Sequence, residues 1–417
     1  MPPRGKMPAM QTPPPPTSRT GPRPLWLHQQ TALLTYQSLR LLWPVMAQGS
    51  MPWHPKLQSA GKKWQQKVKN LKPPARAALD AALEQQLIAR LDDFKSGIDR
   101  YHAQPPSRRA DHYSVIATVG STRLLGYGQA RPDAPPILLI PSLVNRFYIL
   151  DLYPGCSLLE FLCRQGYSPY VIDWAEPGDA EAGFTLDDYQ TRILTMAQTL
   201  SDQWQRKLHI AGYCMGGVFA IALAQLRPKT CQSLMLLATP WDFTGMGMSR
   251  DKIENFCTHI LPLFAQNGLV PVDLLQAMFF EREPFLVIEK FIHLSRRQDL
   301  AHFTALEDWL NDGVPLSAPV MEQCLTQWYG DNRLANGQFL CLGKKLRPGR
   351  IKIPTLSVIP KTDRIVPKNS AMALARSFPK HKTILADTGH IGIVTSKQQQ
   401  TALWPKIATW LHKTESL

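Results

Sequence analysis

The chain has 417 residues, 44% of them hydrophobic, with a formal net charge of +15. That is enough for one large α/β domain with extensions and a sizeable core. No run of about eighteen uninterrupted apolar residues occurs, which excludes a membrane-spanning helix. The seven cysteines, at 156, 163, 214, 231, 257, 324 and 341, show no C-x-x-C spacing and no Cys/His cluster able to hold a metal. An odd set lying mostly in apolar segments points to a reducing cytoplasm.

The charge excess lies at the start: Met1 to Arg76 carries twelve Lys or Arg and no Asp or Glu, and the remainder is close to balanced. Met1 to Pro24 is proline-rich and is expected to be disordered. Leu25 to Trp43 has apolar residues at helical spacing and no acids, as in a helix that lies on an interface or packs on the catalytic domain itself. His28, Gln29, Gln30 and Gln37 interrupt its apolar run, which argues against a secretory signal, whereas an organellar transit peptide shares the basic, acid-free pattern. Lys56 to Lys72 is basic, but only Trp64 interleaves its lysines, so nucleic acid is not the expected partner. Arg76 to Ile98 has a charged helical pattern ending near Pro105-Pro106. These segments give an arm over 1–76, a helical linker over 77–110 and a catalytic domain over 111–417.

Two strands follow, Tyr113 to Val119 and Thr122 to Tyr127, then buried strands at Pro136 to Pro141 and Tyr170 to Trp174 with a helix around Leu158 to Arg164 between them. Strands recur at Lys207 to Ala211, Ser233 to Ala238, Ile353 to Ile359 and Lys382 to Ala386, and Ala402 to His412 makes a closing helix. Strands alternating with helices imply a mostly parallel sheet flanked by helices. From about 244 to 336 the pattern is helical with no clear strand, as in an inserted cap.

Gly212-Tyr-Cys-Met-Gly-Gly217 sits between the strand at Lys207 to Ala211 and an apolar helix, Val218 to Leu226. This is the strand-turn-helix context of a G-x-nucleophile-x-G elbow, with Cys214 where most such enzymes carry serine. The other six cysteines read as small buried hydrophobes. Asp363 follows the strand ending at Ile359 and His390 follows the next, so the order is nucleophile, acid, histidine, as in an α/β-hydrolase fold. A thiol with an ordinary pKa near 8.5 is mostly protonated at neutral pH. His390 would take its proton, and Asp363 would accept the other imidazole N–H and fix the tautomer. Taken alone, an Asp before a turn is often a cap and a Gly-His in a loop often a surface residue. Asp387, three residues before His390, ranks second as the acid, and Asp173 third. The oxyanion hole is expected from the backbone N–H groups of Met215 and Val144.

With these residues in place the chain resembles the polyhydroxyalkanoate synthases over about 110–415. The resemblance rests on Val144 to Leu152, Ile172 to Pro177, Thr185 to Tyr189, the Cys214 box, Ala238 to Phe243, Trp328 to Leu334, Asp363 to Pro367 and Gly389 to Ile393. It looks closest to the catalytic subunit of the short, two-component (class III) synthases. Glu307 to Pro315 is only loosely similar to the family's cap, and the basic arm is unlike the start of the short subunits. The resemblance implies that Cys214 carries the acyl chain, with His390 as base and Asp363 as third member, the aspartate also being implicated in activating the incoming hydroxyl. It further implies 3-hydroxyacyl-CoA as substrate with no cofactor or metal, a polyester granule surface as cytoplasmic location, and a homodimer or second synthase subunit as partners. Two alternatives stay open at the same residues: hydrolysis of an acyl-CoA thioester or hydroxyalkanoate oligomer, and a non-catalytic granule-binding scaffold.

Overall fold

Prolines and a terminal glycine mark out the first helices. The computed structural model describes residues 19–105, 112–129, 131, 133–246, 249–265, 267–298 and 300–415; the proline-rich opening up to residue 18 lies outside them. Helix α1 (Leu25–Gln48) ends where Gly49, at φ +87°, returns its N–H to the Met46 and Val45 carbonyls. Helices α2 (Gln58–Lys69) and α3 (Pro73–His102) follow. Pro73 opens α3, where a missing N–H costs nothing. The charge change near residue 76, read above as a boundary, falls inside α3, because backbone bonding continues through it whatever the side-chain charge.

The chain divides into two units. Among the described residues, one comprises 19–105 and 276–311 and the other 112–275 and 312–415. In the first unit, the helices Leu286–Leu294 and Ala301–Asn311 associate with the arm helices and not with the sheet. Ala32, Tyr36, Phe94, Ile98, Tyr101 and Phe291 form its core. Phe291 packs edge-on against Phe94 and Tyr101, with centroids 6.3 and 5.8 Å apart. Arg90 donates to Glu289 at 2.7 Å, and Tyr101 OH to Asp308 at 2.8 Å.

The second unit is built on an eight-stranded sheet. Its strands are β1 (Tyr113–Val119), β2 (Thr122–Tyr127), β3 (Pro136–Ile140), β4 (Ser168–Asp173), β5 (Leu208–Tyr213), β6 (Cys231–Leu237), β7 (Thr355–Pro360) and β8 (His381–Ala386). The spatial order is β1-β2-β4-β3-β5-β6-β7-β8. β1, β2 and β4 pair antiparallel and the others parallel, so β3 to β8 share one carboxyl edge. Ile137 to Ile140 are at most 1% exposed, as a central parallel strand covered on both faces requires. Helix α4 (Leu158–Arg164) lies where the sequence places it. Helix α5 (Leu186–Trp204) is additional to the reading above; its signal was the Thr185-x-x-Asp188 cap, in which Asp188 accepts the Thr185 N–H at 2.8 Å. Helix α6 (Gly216–Leu226) follows β5. Within 244–336, where no strand was read, Leu269–Val270 pairs antiparallel with Leu316–Ser317.

Candidate active site

β5 ends at Tyr213 and α6 begins at Gly216, so Cys214 and Met215 make the whole reversal. Cys214 takes φ +53°, a left-handed conformation that strains any residue with a Cβ and recurs at functional turns. Close packing holds it there. A Cβ on Gly216 would stand 2.1 Å from the Ile140 carbonyl oxygen at the end of β3, and one on Gly212 would stand 2.4 Å from Gly217 Cα. Cys214 N–H donates to Leu237 O at 2.8 Å, and Gly217 N–H to Cys214 O at 2.9 Å. The part-buried Cys214 side chain packs on an apolar cluster of Ile359, Val366, Ala371 and Ala375.

The next strands bring the partners to the same edge. The Asp363 side chain is 0% exposed. Its Oδ1 accepts the N–H groups of Ile365 and Val366 at 2.8 Å each, and its Oδ2 accepts from His390 Nδ1 at 2.7 Å. An ionised carboxylate can only accept, so Nδ1 carries the proton. Cys214 lies close enough to the imidazole to raise its pKa, and with Nδ1 engaged by Asp363 the other ring nitrogen, Nε2, is left for the thiol. Burial lowers the His390 pKa, but the Cys214 charge and the Asp363 hydrogen bond outweigh it and push the value up to about 10. Beneath the pair, the Tyr213 ring lies 5.4 Å from that of His390, and its buried hydroxyl has no partner. Burial, then the Cys214 and Asp363 charges, push the Tyr213 pKa well above its ordinary value.

Met215 caps α6, and no acceptor among the described residues takes its N–H. Val144 lies in the loop after β3. Its N–H is 3.5 Å from Ser142 Oγ, its carbonyl accepts the Val314 N–H at 3.0 Å, and Asn145 bridges to Gly313. Sequence reasoning missed what anchors this loop. Asp312 accepts from Arg146 Nε at 3.2 Å and from Tyr148 OH at 2.9 Å, and Arg146 also reaches Glu176 at 2.6 Å. The available signal was the pairing of Val144-Asn-Arg-Phe-Tyr148 with the Asp312-Gly313 turn, two segments given only as points of likeness. Asp387 is not the acid: exposure of 70% and an ion pair with Lys361 at 2.6 Å place it on the surface. Asp173 is bound to Arg123, with Nε at 3.0 Å, and is structural.

Among the described residues, no group of three or more His, Cys, Asp or Glu could hold a metal, and no helix is long and apolar enough to cross a membrane. The segment read as an inserted cap, 244–336, is divided between the two units at 275/276 and 311/312; in its first part Leu261 and Val272 are buried while Leu263 and Phe264 are exposed.

Sheet order, turn and strand-end placement are those of the α/β-hydrolase fold, and the chain belongs to that family, whose model matches residues 135–396. Within the class, the chain is similar to poly(3-hydroxyalkanoate) polymerase subunits PhaC, as the resemblance read from the sequence implied. It is 31% identical to that of Haloferax mediterranei, over 71% of this chain and 63% of that protein. It is 30% identical to that of Haloarcula marismortui, over 66% and 60%, and 27% identical to that of Allochromatium vinosum, over 71% and 88%. The chain thus spans less than two thirds of the length of the two haloarchaeal relatives.

Proposed function

We propose that the chain polymerises 3-hydroxyacyl-CoA into polyester, with Cys214 carrying the growing chain as a thioester, His390 moving the protons and Asp363 orienting His390. The observation that carries this reading is Cys214 on the strained elbow, beside an imidazole that Asp363 holds at 2.7 Å, in a chain whose relatives are named polymerase subunits.

The His390 pKa is pushed up to about 10, the Cys214 charge and the Asp363 hydrogen bond prevailing over burial, which supports His390 as the group that takes the Cys214 proton. The thiolate attacks the thioester carbonyl, and the N–H of Met215, with that of Val144, donates to the oxyanion. Collapse breaks the carbon–sulfur bond to CoA, which leaves as the thiol after taking the proton from His390 Nε2. Acylation removes the negative charge from Cys214 and with it the contribution that kept His390 protonated, so the neutral imidazole becomes a base. It takes the proton from the hydroxyl of the next unit, whose oxygen attacks the Cys214 thioester. An ester forms and the thiolate is restored. Asp363, enclosed and using both oxygens, supports a positioning role, which leaves the hydroxyl proton to His390. Cysteine suits this exchange because the acyl group stays activated for the next step.

The test is to incubate the protein, and its Cys214→Ala variant, with 3-hydroxybutyryl-CoA, following CoA release and separating solvent-extractable polymer from free acid. Cys214-dependent release with polymer supports the proposal. Cys214-dependent release with free acid alone would make the chain a thioesterase.

A further inference from the structure

We propose that the helix pair α1–α2 docks this protein on an anionic phospholipid surface, a role independent of the chemistry at Cys214. Helix α1 is apolar on two sides. One side, with Ala32 and Tyr36, is buried in the core of its unit. The other carries Trp26, Leu33, Leu34, Leu41 and Val45, whose spacing of i, i+7, i+8, i+15 and i+19 puts them on one face. This face is open: Trp26 is 66% exposed, Leu34 59% and Leu41 77%. At 1.5 Å per residue the stripe runs about 28 Å. Gln30 and Gln37 lie among these side chains, so the face is a band of exposed large apolar residues interrupted by uncharged polar ones, with no acidic residue in the helix.

The charge beside it selects the occupant. Trp43 of α1 packs edge-on against Trp64 of α2 at 5.2 Å, and Gln65 donates to the Met46 carbonyl at 2.9 Å, so the two helices are one packed element. Lys56, Lys62, Lys63, Lys67, Lys69 and Lys72 are all exposed and have no acidic partner among the described residues. Of the acids nearest in sequence, Asp80 is engaged with Arg76, Glu84 with Arg40, Asp93 with Arg296 and Asp99 with Lys95, which leaves Asp92 alone against six lysines. The element therefore presents an apolar stripe and uncompensated cations together, the combination that seats a helix in the plane of an acidic headgroup layer. A second copy docked through the same face would bring like charges together. A neutral polyester surface would leave the lysines without a partner.

The test is co-sedimentation of the full chain with vesicles of phosphatidylcholine and with vesicles of equal parts phosphatidylcholine and phosphatidylglycerol, at low and high salt. The expected result is binding that requires phosphatidylglycerol and weakens with salt. It should drop about tenfold or more in Leu34→Asp/Leu41→Asp and about thirtyfold in Lys63→Gln/Lys67→Gln, with circular dichroism unchanged because all four side chains are exposed. Equal binding to phosphatidylcholine alone, or preference for neutral polyester particles over acidic vesicles, overturns the proposal. So does a concentration-dependent dimer that fails to bind vesicles and is broken by the leucine variants. Repeating the assay with Cys214→Ala keeps this result separate from the fate of the polymerase reading.

Discussion

Asp363→Asn removes one charge from the site while keeping the side-chain shape, and the structure dictates how the new amide must sit. In the native site Oδ1 accepts two backbone N–H groups, from Ile365 and Val366, at 2.8 Å each. Only the amide oxygen can replace it, so the NH2 group is forced toward His390 Nδ1, now 2.7 Å from Oδ2. Two donors cannot face each other. His390 must then accept at Nδ1 and carry its proton on Nε2, the tautomer that cannot take a proton from Cys214 or from a hydroxyl. Loss of a charge-assisted hydrogen bond and of the correct tautomer together predict a fall in CoA release of about a thousandfold or more. Alkylation of Cys214 by iodoacetamide at neutral pH should slow in parallel, because the imidazolium that sustains the thiolate is gone. The melting temperature should move little, since both backbone donors keep an acceptor. Asp363→Ala is the contrast: it removes the acceptor of both amides, the exposed Ile365 N–H and the part-buried Val366 N–H, and should cost some stability, about 1 kcal/mol, as well as activity. Wild-type rates of CoA release and alkylation in Asp363→Asn would refute the assigned geometry.

In Cys214→Ala the His390 pKa, pushed up to about 10 in the parent protein, should fall, because the charge that raises it is deleted while the burial that lowers it remains; an NMR titration of the histidine resonances of both proteins reads the difference. As a group with a raised folded pKa, His390 contributes stability that is full below its ordinary 6.5 and lost as pH rises through about 10. Chemical denaturation across that window should show the loss in the parent and a smaller one in the variant. Glu181 behaves oppositely. Burial raises its pKa, but the N–H groups of Ser121 and Gly178 and the Arg192 guanidinium prevail and hold it at about 2, with the Arg192 bond at 2.6 Å and both side chains under a tenth exposed. Its contribution, about 3 kcal/mol, is present above 4.5 and lost as pH falls toward 2, and Glu181→Gln should lower the unfolding free energy at neutral pH by a similar amount. Gly216→Ala forces a Cβ to within 2.1 Å of a backbone oxygen and should cost about 3 kcal/mol or more, read as lost soluble yield or a lowered melting temperature. Asp312→Ala removes one anchor each from Arg146 and Tyr148 and so loosens the loop holding Val144. The rate constant for CoA release should fall more than the KM rises, with Cys214 alkylation unchanged.

The parts of this fold legible in the sequence were those with a local cause. β1, β2 and α4 lie at the residues read for them, because alternation, Gly120-Ser121 and the apolar run after Ser157 are short-range signals. The elbow was legible for the same reason: its glycines are demanded by contacts within the motif and with β3. The association of Leu286–Leu294 with α3 was not, since it depends on which of several apolar helices meet across nearly two hundred residues. The choice of Asp363 over Asp387 lay between. Both precede His390 by a plausible interval, and the deciding fact, that one carboxylate is enclosed with three donors while the other pairs with Lys361 in solvent, belongs to tertiary packing.

On the proposed reading, the same geometry would make polymerisation and hydrolysis close neighbours at this site. Once Cys214 is acylated, His390 is a base with no preference of its own between a hydroxyl and a water, because Nε2 senses only the proton it receives. Asp363 cannot supply the preference, being enclosed and committed to His390 and two amides. Nor can the elbow, whose strained φ serves any acyl transfer. On the proposed reading, discrimination would rest on occupancy: an acyl chain and an incoming thioester lying over Cys214, beside the apolar cluster of Ile359, Val366 and Ala371 on which its side chain packs, would leave less room for water. It follows that a polar substitution in this cluster, such as Val366→Thr, should shift product from polymer toward free acid at nearly unchanged total CoA release. An unchanged product ratio would move the origin of discrimination away from the floor of the site.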